Sequence, residues 1–161
     1  MHAEFIDVSK MTIENILKNL DKTIIAVGTT ALRTIESLYW LGVKSQGSGV
    51  GSQESLIINQ WEVYDKLKGN ISPKESLKEL LEWMDKKSLE KLVSQTQIII
   101  APGYKAKISK ALITNFHQPR STLLLLVAAL IGDNWKNVYS YALENNFRFL
   151  SYGDGSLLWI G

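Results

Sequence analysis

Cysteine is absent from the 161 residues, and histidine occurs only twice. Without cysteine there is no disulfide framework, no thiolate nucleophile and no zinc knuckle, a composition that suits a reducing cytosol. A cytoplasmic location is therefore the expectation. Two histidines make a metal site unexpected. The apolar run from Leu123 to Ile131 is nine residues long, far short of the roughly 20 that span a bilayer. The N-terminus, MHAEFIDVSK, is acidic and lacks the apolar segment of a signal peptide, so no membrane association is expected. Charge of neither sign dominates: 18 Lys and Arg against 16 Asp and Glu leave +2. That balance gives no general attraction to nucleic acid, and any RNA-binding surface must be a local patch. A GxGxxG loop is missing, and with it the dinucleotide-binding fingerprint. Repeats and low-complexity tracts are missing too.

What remains is ordinary for a globular domain, with 45% hydrophobic and 21% charged residues. The length is one domain's worth, enough to bury a sizeable core. Phe5 to Val8 reads as a short extended piece. Ser9 or Thr12 then caps a helix through Leu20, with Ile13, Ile16, Leu17 and Leu20 on one face. Thr23 to Val27 is a β-branched run typical of a buried parallel strand. Gly28 breaks it, and Thr29 and Thr30 offer caps for a helix to Leu41, ended by Gly42. Ser45 to Ser55 has the composition of an exposed loop, and Leu56 to Leu67 is a possible helix holding Trp61 and Tyr64. Ser72-Pro73-Lys74-Glu75 is a capping box with proline at N1. The helix it opens runs to about Lys86, with Leu77, Leu80, Leu81 and Met84 as its apolar stripe. Ser88 to Ser94 reads as one or two further helical turns.

Gln97 to Ala101 is a second buried-strand candidate, ended by Pro102-Gly103. Lys105, Lys107 and Lys110 form a basic cluster, read either as a solvated loop or as a phosphate-contacting edge. Ala111-Leu112-Ile113 is a third strand candidate, and Leu123 to Ile131 a fully buried helix capped by Ser121 or Thr122 and stopped by Gly132. Trp135 to Asn146 is an amphipathic helix with Val138, Tyr139, Tyr141 and Ala142 inward. Phe147 to Tyr152 reads as a strand, Gly153 to Gly155 as a turn, and Leu157 to Ile160 as a terminal strand or tail. The alternation predicts an α/β domain, a mainly parallel Rossmann-like sheet flanked by helices, with the final segment open to antiparallel pairing. The loop from Thr114 to Thr122 then lies at the carboxyl end of a strand and the N-terminus of a helix, where ligands bind in open α/β sheets.

The stretch TNFHQPRSTLLLLVAALIG resembles the signature of the S-adenosylmethionine:tRNA ribosyltransferase-isomerases, the queuosine-biosynthesis enzymes, whose usual form is close to TNFHLPKSTLLMLVSAFAG. Three further blocks agree in the same order: Gly28 to Ser37 (GTTALRTIES), Pro102-Gly103-Tyr104, and Phe147 to Asp154 (FRFLSYGD). Met1-His2-Ala3-Glu4 is similar to the end of a fifth block, HMHSE. The resemblance departs at Gln97 and Ala101, where the family has an acidic and an aromatic residue, and over 43–95, a helical insert atypical of the family. That insert can cover a sheet edge, contact RNA or meet a partner.

The resemblance implies a longer two-domain enzyme of which residues 1–161 are a C-terminal part, the preceding β-rich domain being a partner of this one. It implies transfer of the ribosyl part of S-adenosylmethionine to 7-aminomethyl-7-deazaguanine at the tRNA wobble position, giving epoxyqueuosine. S-adenosylmethionine is then co-substrate, and no other cofactor is expected. His2 and Glu4, on one face of an extended segment, are the expected acid/base pair. Gly28, Thr29, Thr30, Thr114, Asn115, Ser121 and Thr122 are expected to hold the ribose or the methionine carboxylate. Arg33 is expected to anchor a carboxylate or phosphate, although its spacing from Glu36 also fits a surface ion pair. His117 is expected in a binding role, and Asp154 as acceptor for a ribose hydroxyl or for its own turn. Phe116 and Tyr152 are stacking candidates, and either can equally be a core aromatic. Two other readings stand beside this one. A non-catalytic tRNA- or partner-binding module would keep the fold without the chemistry. An ordinary S-adenosylmethionine-dependent methyltransferase is disfavoured by the missing glycine-rich loop.

Overall fold

The computed structural model describes residues 3–47, 56–67 and 69–161. The chain opens with β1 (Glu4–Ser9) and α1 (Lys10–Lys18), where the Ser9 side chain accepts from the Thr12 amide as N-cap. After β2 (Ile25–Val27) comes the long α2 (Thr29–Gly47). Then follow β3 (Ile57–Ile58), the single-turn α3 (Glu62–Asp65), α4 (Pro73–Lys86) and β4 (Lys91–Thr96). The last third holds β5 (Ala111–Asn115), α5 (Thr122–Ile131), α6 (Asn134–Glu144) and β6 (Gly155–Trp159). None of the helices described is long and apolar enough to cross a membrane.

The strands form two three-stranded sheets, ordered β1-β4-β3 and β2-β5-β6. Each is mixed: β3 runs parallel and β1 antiparallel to β4, and β2 runs parallel and β6 antiparallel to β5. The expected single, mainly parallel sheet is therefore corrected to two small mixed ones. The apolar segment Ile98–Ile100 is buried as expected, but three of its backbone groups are met by side chains. The Ile98 amide donates to Thr96 Oγ1 and its carbonyl accepts from Arg33 Nε, while Tyr64 Oη donates to the Ile99 carbonyl and accepts from the Ala101 amide. The paired register of β4 ends at Thr96, and beyond it the Gln97 and Ile99 amides donate to the Ile58 and Gln60 carbonyls.

The strand ahead of it is β4, read from sequence as helical. Its burial alternates residue by residue, with Leu92, Ser94 and Thr96 inward, the period of a half-buried strand. The 43–95 segment is thus woven into the core, supplying the central strand of one sheet and helix α4. The Ser72–Glu75 capping box forms in full, and Leu77, Leu80 and Met84 are buried as its stripe predicts.

Further differences follow from packing. Gly42 does not stop α2; it lies inside the helix where α4 crosses, and a Cβ there would collide with the Ser76 carbonyl and hydroxyl. Strand β2 is not buried on both faces: Ala26 is inward, whereas Ile25 and Val27 look out together with Ile113, Leu157 and Trp159 from the neighbouring strands. Helix α5 is not fully buried either, because Leu126, Val127 and Leu130 are covered while Leu125 is exposed. Residues 147–152 form no strand, and Tyr141 points outward, leaving Tyr139 and Ala142 as the buried side of α6.

Candidate active site

Because β2 and β5 are parallel neighbours, their carboxyl ends lie side by side, and the Gly28 amide donates to the Ile113 carbonyl at 2.8 Å. Gly28 has φ +89°, a left-handed conformation that glycine adopts without strain. Its carbonyl accepts from Leu32, which starts α2, so Thr29 and Thr30 are the first two helical residues and not its caps. The first-turn amides of α2 thus open beside the loop that follows β5.

That loop is braced from within. The Thr114 hydroxyl and His117 Nε2 are 3.0 Å apart, and the His117 amide donates to the Tyr139 hydroxyl at 3.0 Å. Burial lowers the pKa of His117 and favours its neutral form. Phe116 is a core aromatic, packed edge-on against Tyr139 and Phe147, and is unavailable for stacking on a ligand. Tyr152, 96% exposed, remains open to one. Asn115 donates through Nδ2 to the Gly153 carbonyl at 3.2 Å, which ties the signature loop to the 147–154 segment. Asp154 closes its own turn: its carboxylate accepts from the Arg148 amide at 2.8 Å, a bond that holds it below the usual carboxylate range. Ser121 is the N-cap of α5, accepting from Leu124 and donating to the Gln118 carbonyl, and Thr122 is the exposed first helical residue.

Arg33 sits one turn into α2 and is 2% exposed. Its Nη1 forms an ion pair with Glu4 Oε1, and its Nε donates to the Ile98 carbonyl. Glu4 Oε2 and Arg33 Nη2 are both buried without a hydrogen-bond partner. Arg33 is thus an organiser of Glu4, with its Nη2 amino group left for anything else. His2, the expected partner of Glu4, lies outside the described residues.

Glu36 does not pair with Arg33. It is fully buried and accepts four hydrogen bonds, from the Tyr104 hydroxyl and the amides of Lys107, Ile108 and Ser109, at 2.7–3.1 Å. Tyr104 in turn accepts from Trp40 Nε1. Lys107 of the basic cluster lies over the rings of Tyr39 and Trp40 at 5.3 and 5.4 Å. Sequence reasoning missed this clamp, although Tyr104 and Glu36 stand in two of the motif blocks.

It also missed a groove of about 350 Å³ beside α5, lined by Pro102, Arg120, Leu124, Leu125, Ala128 and Trp135 with the Ser121–Thr122 turn at its end. Pro102 and Arg120 belong to separate motif blocks, and that was the available signal. Three of the blocks therefore meet around the signature loop, while the Glu4–Arg33 pair stands one turn further along α2.

The sequence profile of the family described as "Queuosine biosynthesis protein" matches residues 1–158. An S-adenosylmethionine:tRNA ribosyltransferase-isomerase of Jannaschia sp. is 38% identical over 162 residues, covering 99% of this chain and 33% of the relative. The enzyme of the same name from Buchnera aphidicola subsp. Schizaphis graminum is 36% identical over 157 residues, covering 96% of this chain and 32% of its own length. The chain thus spans about a third of the length of these relatives. Among solved structures, S-adenosylmethionine tRNA ribosyltransferase from Thermotoga maritima matches with a TM-score of 0.61 and 29% identity over 95% of this chain and 39% of that one. The chain belongs to the queuosine biosynthesis protein family.

Proposed function

We propose that this chain carries part of the site at which the ribosyl unit of S-adenosylmethionine is transferred to 7-aminomethyl-7-deazaguanine in tRNA and isomerised to the epoxycyclopentane of epoxyqueuosine. The observation that carries this reading is the juxtaposition of Gly28–Thr30 with Thr114–His117 at the carboxyl ends of two parallel strands. S-adenosylmethionine binds there. Amides at the start of α2 and α5, with Thr29, Thr30, Ser121 and Thr122, hold its ribose or methionine carboxylate. Asn115 and His117 position the nucleoside, and Asp154 and Tyr152 border it.

Glu4, with His2, takes the acid/base role: removing the weakly acidic proton beside the sulfonium and assisting departure of adenine. Its Oε1 is held by Arg33, which leaves Oε2 for proton transfer and Arg33 Nη2 for an acceptor on the substrate. The sulfonium supplies the electrophilic drive, so the reaction asks for no metal or organic cofactor. The tRNA presents its base unstacked.

Titration calorimetry of this chain with S-adenosylmethionine at millimolar concentration tests the pocket. Weak binding is expected, reduced about tenfold in Asn115→Ala, which removes one amide contact, and little changed in Glu4→Gln. Equal affinity in wild type and Asn115→Ala moves the pocket elsewhere.

A further inference from the structure

The groove beside α5 touches the S-adenosylmethionine pocket just described only at the Ser121–Thr122 turn, and two motif blocks build it. Its walls are apolar, from Pro102, Leu124, Leu125, Ala128 and Trp135, and no acidic side chain lines it. At its mouth stands Arg120, exposed and with φ +60°, whose guanidinium has no ion pair or hydrogen bond among the described residues. The N-terminal turn of α5, a helix of ten residues, adds its partial positive charge at the same end.

An apolar slot with an indole in its wall and an unpaired cation at its rim is complementary to a flat heterocycle attached to a phosphate. S-adenosylmethionine itself fits poorly. Its ribose diol would find, among the described lining residues, no acidic acceptor of the kind such diols use. A nucleotide of an RNA strand meets the walls and the rim: the base enters the slot beside Trp135, and the phosphate faces Arg120. The slot's volume, about 350 Å³, admits a single base with its sugar.

We propose that this groove receives one unstacked nucleotide of the RNA substrate, next to the nucleotide being modified. The assignment rests on the reading above, in which RNA is the acceptor.

Fluorescence anisotropy of this chain with a labelled RNA hairpin carrying an unpaired loop tests it, with circular dichroism confirming that each variant is folded. Leu125→Glu places a carboxylate in the slot at an already exposed position, and Arg120→Gln removes the cation. Each should weaken hairpin binding by roughly tenfold. Arg120→Gln should also lower the slope of log affinity against log salt by about one. S-adenosylmethionine binding by calorimetry should stay at the wild-type value in both. Unchanged hairpin affinity in both variants overturns the nucleotide assignment and leaves the proposed function standing. No hairpin binding by wild type overturns both. Variants that weaken S-adenosylmethionine in place of the hairpin give the groove to that ligand and overturn the inference.

Discussion

His117 holds the signature loop by both ends of one residue, its ring to the Thr114 hydroxyl and its amide to the Tyr139 hydroxyl. Burial depresses its pKa below the unfolded value near 6.5. The unfolded chain therefore takes up a proton at this site more readily than the folded one. The stabilisation from a neutral His117 is fully present above pH 6.5 and is lost as pH falls through the lower folded value. Denaturant midpoints are expected to fall between pH 7 and 5.5 in wild type and to change less over that window in His117→Asn. The carboxylates with depressed pKa, Glu62, Glu75 and Asp154, act further down, below about pH 4.5. Arg33 and Glu36 illustrate what spacing alone conceals. Three residues apart on a helix they read as an ion pair, yet each finds its partners far along the chain, Arg33 at Glu4 and Ile98, Glu36 at 104–109. Local periodicity carries no information about such contacts, so the sequence singled out Glu4 and Arg33 separately while their pairing was not legible.

Helix α2 crosses α4 at Gly42, where the two backbones approach too closely for a side chain. Two effects oppose each other in Gly42→Ala. Helix propensity favours alanine by about 0.5–1 kcal/mol, whereas a methyl driven onto backbone atoms costs typically about 1–3 kcal/mol. Because the obstructing atoms include the Ser76 carbonyl and not only a flexible side-chain end, steric cost wins. The variant is expected to be less stable by about 1–2 kcal/mol in urea unfolding, and a gain in stability would show that the helices part freely. In sequence Gly42 looked like a stop signal, since a glycine after an apolar run marks either a terminus or a close approach. Helix α4 was legible to the residue because Ser72, Pro73 and Glu75 fix its start by local hydrogen bonds. Strand β4 was not, for Lys91–Thr96 mixes polar and apolar side chains over too few residues to separate a period of 2 from one of 3.6.

At the scale of the whole molecule, one apolar cluster joins helices α1, α2 and α4 to strands of both sheets, and a second, aromatic one lies under α5 and α6. Alternating strands and helices were visible in the sequence, and so was an antiparallel final segment, realised as β6 on β5; the antiparallel pairing of β1 with β4 was not, because pairing direction is set by contacts among segments distant in sequence. The signature loop was found where strand-end reasoning places ligands, since that rule depends only on the order of elements. The chain spans about a third of its relatives' length. The 161 residues alone are therefore expected to form no detectable epoxyqueuosine from precursor-bearing tRNA, assayed by mass spectrometry of nucleosides. Turnover comparable to that of a full-length relative would show that these residues are sufficient.

The Glu36 clamp also bears on the order in which the chain folds. Its carboxylate binds amides 71 to 73 residues away along the chain, so the 104–109 loop cannot settle until α2 has formed and docked. Closing a loop of that span costs entropy before any bond rewards it. Helices α2 and α4 can form early from local signals, while the segment leading into β5 waits for Glu36. The stretch from β5 onward, which carries the signature loop, is then the last part to acquire its shape.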